Sequence, residues 1–208
     1  MNKYPRTNHL PWSPGASSDD KILKSLDTLL KKEIVITEKM DGENTTGYSS
    51  GYIHARSLTS SYHQSRTWVN AFLKERLYQL PDGWRICGEN VFACHSVPYE
   101  NLDSYFFGFS IWNEKNQALS WDDTVEWFEL LEIVPVPVLW RGILLSKTFL
   151  RSFSSKINQK KQEGFVVRLV DSFSFEDFPS CVAKWVRPGH VQTDRHWIHS
   201  KVVENKLK

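Results

Sequence analysis

Apolar positions along this chain follow two spacings, and each predicts a different element. Glu33-Ile34-Val35-Ile36-Thr37 is a β-branched, nearly continuous apolar run and reads as a buried strand. Further strands are predicted over residues 52–57, 85–92, 105–112, 165–170 and 181–186, most of them bounded by turn residues such as Ser49-Ser50-Gly51 and Asp82-Gly83. Helical spacing recurs at Ile22, Leu23, Leu26, Leu29 and Leu30, with Asp19-Asp20 before it and Lys31-Lys32 after it, as the helix dipole favours. A second helix is predicted over 66–80, with Val69, Phe72, Leu73, Leu77 and Leu80 inward and Pro81-Asp82-Gly83 as its stop. Ser120 caps a third running to Leu131, and 147–156 forms a fourth. Prolines at 5, 11 and 14 with Gly15 make residues 1–19 an extended arm. The lysine-rich end, 201–208, reads as a solvated or helical tail. Strands grouped with few intervening helices predict an α+β fold of largely antiparallel sheets with flanking helices, not a doubly wound parallel sheet.

Composition narrows the picture. With 208 residues, 40% hydrophobic and 13% aromatic, the chain can bury one core, so 1–208 is read as a single domain with the arm at 1–19 and a C-terminal extension at 188–208. The net charge of +2, from 26 basic and 24 acidic residues, carries no bulk excess, so any nucleic-acid surface must come from local clustering. Cys87, Cys94 and Cys181 form no paired framework, and Cys94-His95 has no second pair at zinc spacing. No signal peptide or membrane-spanning run is present in the sequence, which predicts a soluble protein of the cytoplasm, or of the nucleus in a eukaryote.

The chemistry concentrates around Glu38-Lys39-Met40-Asp41-Gly42-Glu43-Asn44, a lysine between a strand and a glycine turn. Such a lysine is either a phosphate clamp or a covalent nucleophile. Other charges sit inside or beside apolar strands: Arg56, Glu89 within Ile86-Cys87-Gly88-Glu89-Asn90-Val91-Phe92, Glu163 before Gly164-Phe165-Val166-Val167-Arg168, and Lys184 within Val182-Ala183-Lys184-Trp185-Val186-Arg187. Burying charge costs free energy unless the groups pair, hold a metal or bind a ligand, and convergence on one cleft would offset that cost.

The ordered set resembles the ATP-dependent RNA ligase family of the covalent nucleotidyltransferase superfamily, in a compact single-domain form. Lys39-Met40-Asp41-Gly42 matches the Lys-x-Asp-Gly nucleophile motif, with Asn44 five places after the lysine, and Arg56 matches the next motif. Gly88-Glu89, the aromatic strand Phe107-Gly108-Phe109-Ser110-Ile111, Glu163-Gly164-Phe165-Val166-Val167-Arg168 and Ala183-Lys184-Trp185-Val186-Arg187 match the later motifs in order. The resemblance implies the ATP-grasp-like nucleotidyltransferase domain of ligases without an OB-fold domain, for which the chain length leaves no room. It implies sealing of a 5′-phosphate to a 3′-hydroxyl through lysyl-AMP, with ATP as AMP donor and Mg²⁺ or Mn²⁺ as cofactor.

By the same resemblance Lys39, Lys184 and Arg56 are catalytic, and Glu163 and Glu89 hold the metal. Nucleotide contacts fall to Glu38, Lys39, Asp41, Asn44, Arg56, Glu89, Phe109, Glu163, Lys184 and Arg187. Adenine stacks on Phe109, with Phe107 as the alternative on the same strand face. Asp41 fixes its loop by accepting backbone hydrogen bonds. Partners are RNA or RNA-containing duplex ends and ATP, with no membrane, and a monomer is expected. The preferred end structure stays open among single strands, nicked duplexes, hybrid nicks and cleaved tRNA. Two other readings stand beside this one: an mRNA-capping guanylyltransferase using GTP, and a non-catalytic nucleic-acid-binding module of the same fold. His9, His190 and His196, with Trp12 and Trp197, read as packing residues of two flanking segments that line or brace the substrate side of the cleft.

Overall fold

The computed structural model describes residues 1–60, 62–189 and 202–208. In chain order the strands are β1 (Asn8–His9), β2 (Glu33–Lys39), β3 (Glu43–Tyr48), β4 (Ile53–Ala55), β5 (Arg85–Asn90), β6 (Phe106–Trp112), β7 (Gln117–Ala118), β8 (Val134–Pro135), β9 (Val138–Ile143), β10 (Gly164–Leu169), β11 (Phe173–Ser174) and β12 (Val182–Val186). The helices are α1 (Thr67–Leu77), α2 (Trp121–Leu130), α3 (Lys147–Phe153) and the short α4 (Phe178–Cys181).

Two sheets result. One runs β1-β12-β10-β2-β9, the other β11-β7-β6-β5-β3-β4, with β8 beside β6. Among the strands of the described residues, β1 with β12 and β6 with β8 pair in parallel and the other pairs are antiparallel, as an α+β fold with short connections requires.

The sheets share a core. Ile34 and Ile36 of β2, Phe165 and Val167 of β10 and Trp185 of β12 meet Cys87 of β5 and Trp112 of β6. Val35, between those two isoleucines, packs on the other side with Met40, Phe107 and Val136. Burial on both faces is why this strand reads as an unbroken apolar run. Val69, Leu73 and Leu77 of α1, with Phe128 of α2, cover the outer face of the second sheet at Ile86, Phe106 and Ile111. Each such side chain contributes about 1.5–3 kcal/mol of burial. Ser120 caps α2 by accepting from the Asp123 amide at 3.1 Å, and Ser146 caps α3 in the same way.

One expectation is corrected. Residues 22–30 do not form a helix. Ile22 instead bridges His9, with the His9 amide donating to the Lys21 carbonyl and the Leu23 amide to the His9 carbonyl, both at 2.7 Å. The backbone of the helix's intended start is thereby spent on the arm, and only a turn remains. Leu23, Leu26 and Leu29 are still buried in the core. The end of the chain is not helical over 202–208, and although most of its side chains are exposed, as expected, the segment is tied to the fold. Its backbone bridges Ala93 and Leu102, and Asn205 is 3% exposed. Strands β3 and β9 were not anticipated from the sequence. His190, His196 and Trp197 lie outside the described residues.

Candidate active site

Lys39 is the last residue of β2 in one sheet, and β3 in the other sheet starts at Glu43. The chain crosses between sheets in three residues, so the lysine stands at their seam. Gly42 is required there by space: a Cβ would lie 2.4 Å from the Asn90 carbonyl oxygen. Asp41, 2% exposed, fastens this crossing. Its Oδ2 accepts from the Ser96 amide (2.8 Å), the Ser96 hydroxyl (2.7 Å) and the Val97 amide (2.7 Å), and its own amide donates to the Tyr99 hydroxyl at 3.0 Å.

The other predicted residues are delivered by the sheet registers. Gly164 pairs with Lys39 across β10 and β2, which places Glu163 against the lysine; the Nζ–Oε2 distance is 2.5 Å. A Cβ on Gly164 would meet the Trp185 carbonyl at 1.9 Å, so β10 and β12 approach closely at this point. Val166 pairs with Lys184, carrying a second cation along the same sheet. From the opposite sheet, Asn44 pairs with Glu89, and Phe109 comes from β6.

Together they line one cavity of about 740 Å³ between the sheets, the size range of small-molecule sites. Glu38, Lys39, Asp41, Asn44, Arg56, Glu89, Phe109, Glu163 and Lys184 all border it. Arg187 does not; its guanidinium donates to Ser96 Oγ at 3.3 Å, behind the Asp41 loop. Phe107 is 4% exposed and packs in the core, whereas Phe109 borders the cavity. Arg56 is exposed at the cavity wall and makes no hydrogen bond or ion pair among the described residues.

Electrostatics set the protonation states. Burial alone would lower the Lys39 pKa, but Glu163, with Glu89 and Asp41 behind it, overcomes this and holds the ammonium above its ordinary value. Lys184 has no such partner: burial and the Lys39 charge bring it down to about 8. Burial pushes Glu89 up to about 8, with Glu163 adding to the rise. Glu38 is raised by burial too, and Gln162 donates to its Oε2 at 2.8 Å.

Of the carboxylates lining the cavity, Asp41, Glu43, Asp20 and Glu38 are engaged by Ser96 and Val97, by Arg66, by Arg6 and by Gln162, which leaves Glu89 and Glu163 beside Lys39 as oxygen donors; among the described residues no three His, Cys, Asp or Glu side chains form a cage. That donor set fits Mg²⁺ or Mn²⁺ bound by one or two carboxylates with phosphate oxygens completing the shell.

The cavity also carries residues that sequence reasoning missed. Arg66 at the start of α1 forms an ion pair with Glu43, its Nε 2.7 Å from Oε2. Arg6 of the N-terminal arm pairs with Asp20 at 3.0 Å, and Tyr4 sets its ring edge-on to Phe109 at 5.0 Å. Arg168 lines the inner wall, its Nη2 donating to the Leu119 carbonyl at 2.8 Å. Alternation from Gly164 through Val166 to Arg168 was the available signal for the last. His9 is fully buried against Ser13 (2.9 Å), and burial with the nearby Lys184 brings its pKa down to about 4, so it stays neutral.

The family model described as RNA ligase matches residues 32–186. Among solved structures, a Naegleria gruberi RNA ligase mutant with ATP and Mn is 16% identical with a TM-score of 0.61, covering 89% of this chain and 56% of its own. An archaeal ATP-dependent RNA ligase is 16% identical with a TM-score of 0.61, covering 89% and 48%. A proposed ATP-dependent DNA ligase from Aquifex aeolicus is 20% identical with a TM-score of 0.58, covering 89% and 50%. These likenesses establish a shared fold, and the chain spans about half the length of the structures it matches. No curated protein sequence matches it.

Proposed function

Because the chain belongs to the RNA ligase family, we propose that it is an ATP-dependent RNA ligase that joins a 5′-phosphate to a 3′-hydroxyl through a lysyl-AMP on Lys39. The observation that carries this reading is a lysine at the seam of two sheets, 2.5 Å from a buried glutamate, in a nucleotide-sized cavity with a second lysine.

In the unliganded site Glu163 keeps Lys39 protonated, and a protonated amine is no nucleophile. Glu163, with Glu89, would hold Mg²⁺ or Mn²⁺. A bound cation there would neutralise charge on the α-phosphate and on departing pyrophosphate. With Glu163 engaged by such a cation instead of Lys39, burial and the Lys184 ammonium would both favour the neutral amine, its proton passing to solvent. The Lys39 nitrogen then bonds to the α-phosphorus as the bond to pyrophosphate breaks, and Lys184 steadies the phosphate charge. AMP passes next to the 5′-phosphate of the nucleic acid. The 3′-hydroxyl attacks that phosphate and AMP leaves.

Phe109 and Val166, partly buried apolar side chains from the two sheets, both line the cavity and suit contacts to adenine. Arg56, which makes no protein ion pair among the described residues, suits the sugar or the incoming 5′-phosphate. Asp41 acts through its hydrogen bonds to 96–97, holding Lys39 in register.

The substrate is RNA or an RNA-containing duplex end, recognised by a monomer through shape and 2′-hydroxyl contacts. The free cysteines Cys87, Cys94 and Cys181 suit the reducing cytoplasm. Incubation with labelled ATP and Mg²⁺, followed by a denaturing gel, tests the reading. Label on the wild type and none on Lys39→Ala is expected; label from GTP but not ATP contradicts it. Sealing assays with single ribonucleotides on either side of a nick test the RNA preference, which equal sealing of all-DNA nicks would overturn.

A further inference from the structure

We propose that the basic face formed by α3 and the turn after it docks the phosphodiester backbone of the RNA strand being sealed, an inference that rests on the functional reading above. The cavity, at about 740 Å³, holds one nucleotide, so the remaining polynucleotide must lie on the surface outside it.

The surface segments near the site differ sharply in charge. Residues 147–162 carry Lys147, Arg151, Lys156, Lys160 and Lys161 and no acid, in a chain whose whole excess is +2. All five are exposed, and among the described residues only Lys147 has an acidic partner, Asp27 at 3.6 Å. Helix α2 is the reverse: Asp122, Asp123, Glu126 and Glu129 are exposed on it and it has no base. A merely solvated face would mix signs. A polyanion leaving the cleft is repelled by one helix and attracted by the other.

The basic segment is tied to the site. The Lys161 and Gln162 amides donate to the Asn158 carbonyl at 2.9 and 2.8 Å, and the Gln162 side chain donates to Glu38 beside the nucleophile. Lys161 is two residues from Glu163, a backbone span of at most about 7 Å. Lys160 and Lys161 therefore stand on a turn that cannot drift far from Glu163 and its partner Lys39.

Fluorescence anisotropy with a 5′-phosphorylated single-stranded RNA, across a salt series, tests this directly. Lys160→Glu with Lys161→Glu should weaken binding about tenfold or more and flatten the slope of log K against log salt by about 1.4, two phosphate contacts at ~0.7 each. The double alanine variant should fall between it and the wild type, and Lys115→Glu on the β6–β7 turn should bind as the wild type does. Unchanged affinity and slope in the folded double variants would overturn the proposal. Lysyl-AMP labelling, read separately, should survive in both variants. A wild type that takes no label but still loses RNA binding on charge reversal sinks the ligase reading and not the docking surface.

Discussion

Glu89 shows what a buried carboxylate costs its own fold. Its pKa rises from 4.5 to about 8, chiefly through burial. Between those values the folded state holds a proton that the unfolded state has lost, so stability falls as pH rises, and the full penalty is present above 8. Glu89→Gln removes the charge and keeps the shape. It should raise Tm by about 2–6 °C at pH 8.5, with little change at pH 4.5, while reducing nucleotidyl transfer. Calorimetry at the two pH values checks this; equal Tm changes at both would contradict it. Lys184 works in the opposite sense, since its pKa falls to about 8 and stability grows as pH rises from there toward 10.5. Phe109→Ala, losing one wall of the base site, should raise KM for ATP about tenfold with a smaller effect on kcat. That Lys39, Glu89, Phe109, Glu163 and Lys184 border one cavity was expected from the ordered set of motifs, since a single charge beside an apolar strand has an ordinary reading as a rim residue or half of an ion pair. Glu43–Arg66 and Arg6–Asp20 were not, because no periodicity links a residue to an ion-pair partner 23 or 14 positions away.

At the scale of elements, the loop carrying Ser96 and Val97 is held from below by the chain's last residues. Asn205 accepts from the Tyr99 amide at 2.9 Å and donates to the Val91 carbonyl at 2.8 Å, and Tyr105 donates to its carbonyl at 3.0 Å. Asn205→Ala leaves buried backbone groups unmatched and should lower Tm by about 4–10 °C, roughly 2–3 kcal/mol. A Tm within 1 °C of wild type, to the order of about one thermal-scan error, would contradict the bracing. The exposure of this lysine-rich end was legible, but its tie to the fold was not, because its pairing partners are some hundred positions upstream and its buried residue is a polar one. The helix expected over 22–30 failed for a related reason. Its spacing was real, and the same leucines are buried, but the arm claimed the backbone of Ile22. Helices α1, α2 and α3 were legible because their caps and stops are local: Ser120, Ser146 and Pro81-Asp82-Gly83 act within a few residues.

The whole molecule is two sheets meeting along a seam, and that seam is where charge is buried. Strand content and antiparallel pairing could be read from grouped strands and short connections. The partition into two sheets could not, since it depends on the crossing after Lys39 and on β9 closing the first sheet at Ile36 and Thr37, which share a register shift. That arrangement puts Glu163 of one sheet and Glu89 of the other around a single amine, and the central claim is that this amine becomes bonded to AMP. Mass spectrometry of the peptide containing Lys39, after incubation of the protein with ATP and Mg²⁺, tests it most directly. The account predicts one adenylate on the Lys39 side chain, absent when Glu163 is replaced by Ala; an unmodified Lys39, or adenylate on another residue, contradicts it.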